Sequence, residues 1–149
     1  MLVYRITISK FARSLKGSGF PARWNPVGSF MLYTASSASL ACLENLVHRS
    51  GEELKNDFKI VCIEIPNALK IETIPIRNLP KNWELFKNYN FTQKQGDEWL
   101  KKSKSAILKI PSAIIANEVN FLINPAHRDA KKIKIKSIES FKFDPRLKN

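Results

Sequence analysis

The chain has 149 residues, 44% of them hydrophobic and 10% aromatic, which fits one compact domain with a real core and leaves too little length for two. Five glycines and eight prolines exclude a collagen-like or low-complexity chain; the only cysteines, Cys42 and Cys62, exclude a disulfide scaffold and point to a reducing compartment. Its 25 Lys and Arg against 13 Asp and Glu leave a net charge of +12, so the surface attracts anions without specifying which.

At the N-terminus Arg5 interrupts the apolar run, unlike a secretory signal, and no window approaches the ~20 apolar residues of a membrane span. A soluble, cytoplasmic chain without a membrane partner is expected. Residues Leu2 to Ile8 alternate and are rich in β-branched side chains, which predicts an opening strand from which Arg5 projects. From Lys16 to Ser29 the breakers Gly17, Gly19, Pro21, Pro26 and Gly28 predict a long functional loop, in which Arg23, Trp24 and Asn25 carry the binding chemistry. Phe30 to Ala35 reads as a short strand carrying Tyr33.

Ser37 to Arg49 reads as a helix, with Ser36 and Ser37 as caps, Leu40, Leu43 and Val47 at helical spacing, and Gly51 as a stop. Glu44 breaks that pattern. Four residues after Leu40 and three before Val47, its carboxylate falls on the apolar stripe, where it must be paired, hydrogen-bonded or lining a cleft.

Phe58 to Ile65 and Leu69 to Ile74 read as strands, the first central by its nearly continuous apolar run. Arg77 to Phe91 is irregular and aromatic. Thr92 to Lys102 reads as a second helix, opened by the capping-box pair Thr92 and Gln95 and weakened by Gly96. Ala106 to Ile110 and Val119 to Ile123 read as strands around a loop that opens with Pro111-Ser112. Lys132 to Phe143 alternates Lys with Ile, as one or two strands with a lysine-rich outer face do. About seven strands with two helices make an α+β domain.

The sequence holds no P-loop, dinucleotide fingerprint, nucleophile elbow or paired-histidine helix, and His48 and His127 stand alone, so neither a metal site nor a resident cofactor is expected. The positive set is Arg5, Arg23, Tyr33, Glu44 and Ser112, which together suit a phosphorylated nucleotide. Guanidinium groups grip phosphate oxygens, an aromatic ring stacks on a flat heterocycle, and a carboxylate stabilises positive charge developing on a sugar carbon. The alternative is a structural network in which Arg5 and Glu44 pair, Tyr33 is core and Ser112 starts a turn. Lys132, Lys134 and Lys136 offer a sequence-independent phosphate face, as a non-catalytic nucleic-acid-binding module would use, but no nucleic-acid motif accompanies them and direct nucleic-acid binding is not expected.

The order of motifs resembles the RES-domain family, toxins of two-component toxin–antitoxin pairs. The resemblance rests on Tyr4-Arg5, on Gly17-Ser-Gly19 followed by Ala22-Arg23-Trp24-Asn25, on Leu32-Tyr33-Thr34 and on Ala41-Cys-Leu-Glu44. It continues through Gly96-Asp-Glu-Trp99, Pro111-Ser112-Ala113, Asn120-Phe-Leu-Ile-Asn124-Pro-Ala-His127 and Phe143 to Leu147, nearly the whole chain. Two departures stand out: Pro21-Ala22 replaces a common Gly-Gly pair, implying a stiffer loop, and Arg128 stands where a proline is usual.

The resemblance implies a fold similar to ADP-ribosyltransferase toxins, with small mixed or antiparallel β-sheets around a cleft, and NAD as substrate. It implies cleavage of the nicotinamide–ribose bond, with water ahead of phosphate or a protein side chain as acceptor. Arg23, Tyr33 and Glu44 would be catalytic, and Arg5, Asn25 and Ser112 would bind substrate. The expected partner is an Xre-type DNA-binding antitoxin, with a homodimer inside the toxin–antitoxin complex as one arrangement.

Overall fold

The computed structural model describes residues 1–148 as one α+β domain. Seven strands run in chain order: β1 Leu2–Ile8, β2 Leu32–Ala35, β3 Phe58–Glu64, β4 Ile71–Thr73, β5 Ile107–Pro111, β6 Val119–Ile123 and β7 Lys134–Phe141. Helix α1 spans Ala38–His48 and helix α2 spans Tyr89–Lys102. The strands join in one sheet of order β4-β5-β6-β2-β1-β3-β7, antiparallel except for the β4/β5 pair.

Pairing is uneven across that sheet. β1 pairs β3 along its whole length, from Leu2↔Glu64 to Ile8↔Phe58, whereas β1 and β2 meet at the single pair Tyr4↔Ala35. Beyond that pair no further β1/β2 pairing is made, which leaves a gap within the single sheet. Arg5, Ile6 and Thr7 line one side of the gap and Leu32, Tyr33 and Thr34 line the other.

The register sets Tyr4, Ala35, Asn120 and Ile110 in one row, and cross-strand partners project to the same side of a sheet. Helix α1 packs on that side against Ile6, Ala35 and Phe58, while Trp24, Trp83 and Trp99 cover Leu108, Ile110 and Leu122. The opposite side buries Val3, Leu32, Val61, Ile63, Ile107, Phe121 and Ile123. Each such fully buried aliphatic side chain contributes roughly 1.5–3 kcal/mol.

Several expected boundaries move for identifiable reasons. Helix α2 begins at Tyr89, and Thr92 is not its cap: the Thr92 hydroxyl is buried inside the helix and donates to the Arg23 carbonyl at 2.6 Å, with the Tyr89 carbonyl a more distant alternative acceptor at 3.2 Å. On α1, Val47 is 55% exposed and Leu46 joins Phe58 and Phe143 in the core instead. Leu69 closes a turn back to Pro66, which shortens β4. Lys132 ends a 3-10 turn, Arg128–Lys132, and bonds Asp129, so only Lys134 and Lys136 lie on β7. That strand is a sheet edge, where exposed lysines discourage pairing with another chain. β3 is an interior strand, paired along its length with β1 on one side and β7 on the other.

Candidate functional site

The gap between β1 and β2 opens into a cleft of about 910 Å³, within the range of small-molecule sites. Its floor is β1 and β2, its walls are the loop from residue 16 to 25 and helix α1, and Asn120 on β6 lies at its base. Arg5, Lys16, Arg23 and Arg49 make it strongly cationic, with Glu44 and Glu53 as the carboxylates.

Glu44 is fixed by its helix and two neighbours. The Ser37 hydroxyl caps α1 by accepting from the Leu40 N–H at 3.1 Å. One helical turn on, the half-buried Glu44 carboxylate accepts from Asn120 Nδ2 at 2.6 Å and, more loosely, from the Ser112 hydroxyl at 3.5 Å, both at Oε1. Among the described residues Oε2 has no hydrogen-bond partner. The spacing argument that Glu44 must be hydrogen-bonded or line a cleft therefore finds both conditions.

Ser112 is itself buried, accepts from the N–H groups of Ile114 and Ile115 at 3.1 Å each, and so holds its own loop beneath Glu44. Asn120 Oδ1 is buried without a partner. Such an orphan costs about 1–3 kcal/mol, and turning the amide over would set that oxygen against a carboxylate instead.

Neither arginine is consumed by an acid. Arg5 donates from Nη1 to the Ser14 carbonyl at 3.0 Å and has no carboxylate within 4 Å among the described residues, so it does not form the ion pair with Glu44 that a purely structural network would need. Burial lowers the Arg5 pKa by disfavouring its charged form, a penalty that a bound anion would relieve. Arg23 donates to the Glu84 carbonyl at 2.6 Å and stacks over Tyr89 and Trp83, at 4.7 and 5.6 Å from their ring centres.

Tyr33 and Asn25 fasten the loop to the sheet. The Tyr33 hydroxyl accepts from the Trp24 N–H at 3.0 Å and donates to Asn25 Oδ1 at 2.7 Å. Asn25 Nδ2 donates to the carbonyls of Phe20, Pro26 and Ser29, which leaves its carboxamide fully engaged within the loop. Burial, more than any neighbour, pushes the Tyr33 phenol well above its ordinary pKa and keeps it neutral.

Helix α2 clamps the same loop from outside. Gln93 donates to the Ala22 carbonyl at 2.8 Å, Thr92 to that of Arg23, and the Ser29 hydroxyl donates to Asp97 at 2.6 Å. Gly96 is required here, because a Cβ at this position would lie 1.8 Å from the Trp24 carbonyl oxygen. Pro21 and Ala22 fit without strain, since the positive φ angles of this loop fall on Gly19 and Gly28.

His48, Arg49 and Asn120 line the cleft although the sequence reading gave them no role. His48 was within reach, being four residues after Glu44 on the same helix face. Asn120 carried no local signal beyond its motif. His127 caps a 3-10 turn by accepting from the Asp129 N–H at 3.0 Å. No helix among the described residues is long and apolar enough to cross a membrane.

The chain matches the RES domain over residues 2–144. It is 38% identical over 141 residues to a protein of Sphingobium sp. (strain YBL2) named "Prs ADP-ribosylating toxin", covering 91% of this chain and 88% of that one. A "Toxin Res" of Yersinia enterocolitica is 36% identical over 154 residues, covering 99% of this chain and all (100%) of that one. In structure, the chain superposes on the Mycobacterium tuberculosis MbcT–MbcA toxin–antitoxin complex with a TM-score of 0.75 at 18% identity, covering 98% of this chain and 85% of that one. With a family match that spans all seven strands and a relative 38% identical over 141 residues, the chain belongs to the RES-domain family.

Proposed function

We propose that this chain is the toxin of a toxin–antitoxin pair and that it consumes NAD by cleaving the nicotinamide–ribose bond. The observation that carries the reading is a hydrogen-bonded carboxylate, Glu44, in a cleft that also holds Arg5 and Arg23, neither of which has an ion-pair partner among the described residues. Arginines suit the pyrophosphate, and Glu44 suits the one centre of the substrate that becomes more positive as the reaction proceeds. In NAD the departing nitrogen is already cationic. When the C1′–N bond breaks, its electron pair goes to the ring, nicotinamide leaves neutral, and no general acid is required. The barrier then lies in forming an oxocarbenium-like ribose, which a carboxylate stabilises strongly in a partly dry site. Water adds to C1′ and releases one proton, giving ADP-ribose.

In this reading Arg5 and Arg23 hold the phosphates and Tyr33 presents its ring to the nicotinamide. Asn25 and Ser112 act through the groups they hold, the loop and Glu44. NAD is a substrate, and no resident cofactor or metal takes part. The partner is an antitoxin of the Xre DNA-binding type that covers the cleft mouth, where Phe20 and Phe86 stand 77% and 81% exposed.

A second reading keeps the site and changes the acceptor. The name of the Sphingobium relative favours transfer of ADP-ribose to a protein. Incubating the purified chain with NAD alone, with phosphate and with cell extract separates these cases by product mass. ADP-ribose in all three supports hydrolysis, a phosphorylated ribose or a labelled protein assigns another acceptor, and NAD left intact in all three refutes the proposal.

A further inference from the structure

Asn120 is held between two strands of the sheet. It lies on β6 with Ala35 of β2 on one side and Ile110 of β5 on the other, and its side chain is nine-tenths buried. Strand neighbours on both sides fix its backbone, and burial fixes its rotamer. Glu44, by contrast, reaches the cleft on a side chain with three rotatable bonds from a helix of only 11 residues.

The contact between them is short and directional. Asn120 Nδ2 donates to Oε1 at 2.6 Å, the Ser112 hydroxyl reaches the same oxygen from 3.5 Å, and Oε2 is left without a partner among the described residues. Asn120 Oδ1 stays buried and unbonded. A purely structural asparagine would satisfy both ends of its amide; this one satisfies the end that meets the carboxylate and leaves the other.

We propose that Asn120 is the positioning residue of the site, a fixed donor that holds Glu44 Oε1 and thereby reserves Oε2 for the reacting ribose. This inference rests on the NAD reading above, but the contact it depends on is testable without NAD. Near the cleft the other titratable groups are Tyr4 and Arg5 on β1, Tyr33 on β2, Lys16 and Arg23 on the loop, His48 and Arg49 on α1, Glu53 just after it and Tyr89 at the start of α2. All are present in both wild type and Asn120 variants, so differences between them isolate the Asn120–Glu44 pair.

Three variants decide the matter. Asn120→Ala removes the donor; kcat for NAD loss falls by about 10²-fold, as a misplaced reacting group does, while KM changes by less than about 3-fold. Asn120→Asp sets two carboxylates together, which share one proton at low pH and repel once it leaves. Its turnover and its thermal midpoint, each relative to wild type, therefore fall as pH is raised from about 5 to about 9. Asn120→Asp combined with Glu44→Gln exchanges donor and acceptor, which restores the wild-type pH course of the midpoint without restoring turnover.

Wild-type kcat in Asn120→Ala, or an Asn120→Asp midpoint that follows the wild-type pH course, overturns the proposal. If wild-type protein leaves NAD intact, the NAD reading fails by itself, and the midpoint of Asn120→Asp still judges the contact.

Discussion

Substituting Gly96 by alanine tests the link between helix α2 and the cleft loop. In an ordinary helix interior this change gains about 1 kcal/mol, because alanine loses less backbone freedom on folding than glycine does. Here the new Cβ would lie 1.8 Å from the Trp24 carbonyl oxygen and 2.9 Å from its carbonyl carbon, and both are backbone atoms that cannot rotate away. Either α2 or the loop must retreat by more than an ångström. Retreat breaks the bonds from Thr92 to the Arg23 carbonyl and from Gln93 to the Ala22 carbonyl, and it strains that between Trp24 N–H and Tyr33.

Overpacking at the upper end of its usual range costs about 3 kcal/mol, and two or three lost hydrogen bonds add about 1 kcal/mol each. Less the propensity gain, Gly96→Ala loses about 4 kcal/mol, which for a chain of this size lowers Tm by about 8–16 °C. Thermal unfolding followed by circular dichroism measures the shift. Fluorescence reports the loop as well, since Trp24 and Trp83 lie 5.9 Å apart at its base. A variant as stable as wild type, or more so, refutes the close packing of loop and helix.

Other consequences follow from the same geometry. Asn25→Ala leaves three loop carbonyls without their donor and Tyr33 without its acceptor, so it lowers stability by about 3 kcal/mol and exposes residues 17–29 to limited proteolysis; a change in NAD affinity alone contradicts this. Arg5→Met removes a half-buried cation that has no acidic partner, so Tm stays within about 3 °C of wild type or rises while NAD affinity drops at least about 10-fold by calorimetry; unchanged affinity removes Arg5 from the phosphate site. The bond from Lys101, and then that from Ser29, hold the Asp97 carboxyl below the usual carboxylate pKa. That stabilisation is complete above the unfolded value near about 3.9 and is lost as pH falls through the lower folded value. Asp97→Asn should therefore narrow its Tm gap to wild type on acidification below about pH 4, and a gap constant with pH contradicts the assignment.

How far the sequence could be read depended on whether a feature was local. β1 and β6 were legible because alternation and β-branching suffice to define them, and α1 because Ser37 caps it within one turn. Glu44 was legible as an acid on an apolar stripe. Features made by distant chain segments were not. Thr92 has the look of a helix cap, yet its hydroxyl is used 69 residues away on Arg23, and Gly96 looks like a weak helix position until Trp24 is laid against it. Asn120 lies 76 residues from the carboxylate it holds, and no periodicity in β6 announces that contact. The split between β1 and β2, which creates the cleft, is a property of sheet register and has no signature in either strand.

The most direct test of the whole account is nicotinamide release from NAD by wild type and by Glu44→Gln, measured side by side by mass spectrometry on samples of equal Tm. Glutamine keeps the size of Glu44 and a carbonyl oxygen for Asn120 while removing the charge. The account predicts release by wild type and a loss of at least about 10²–10³-fold in the variant, the scale on which removing one electrostatic stabiliser acts. Equal rates from the two proteins would contradict it.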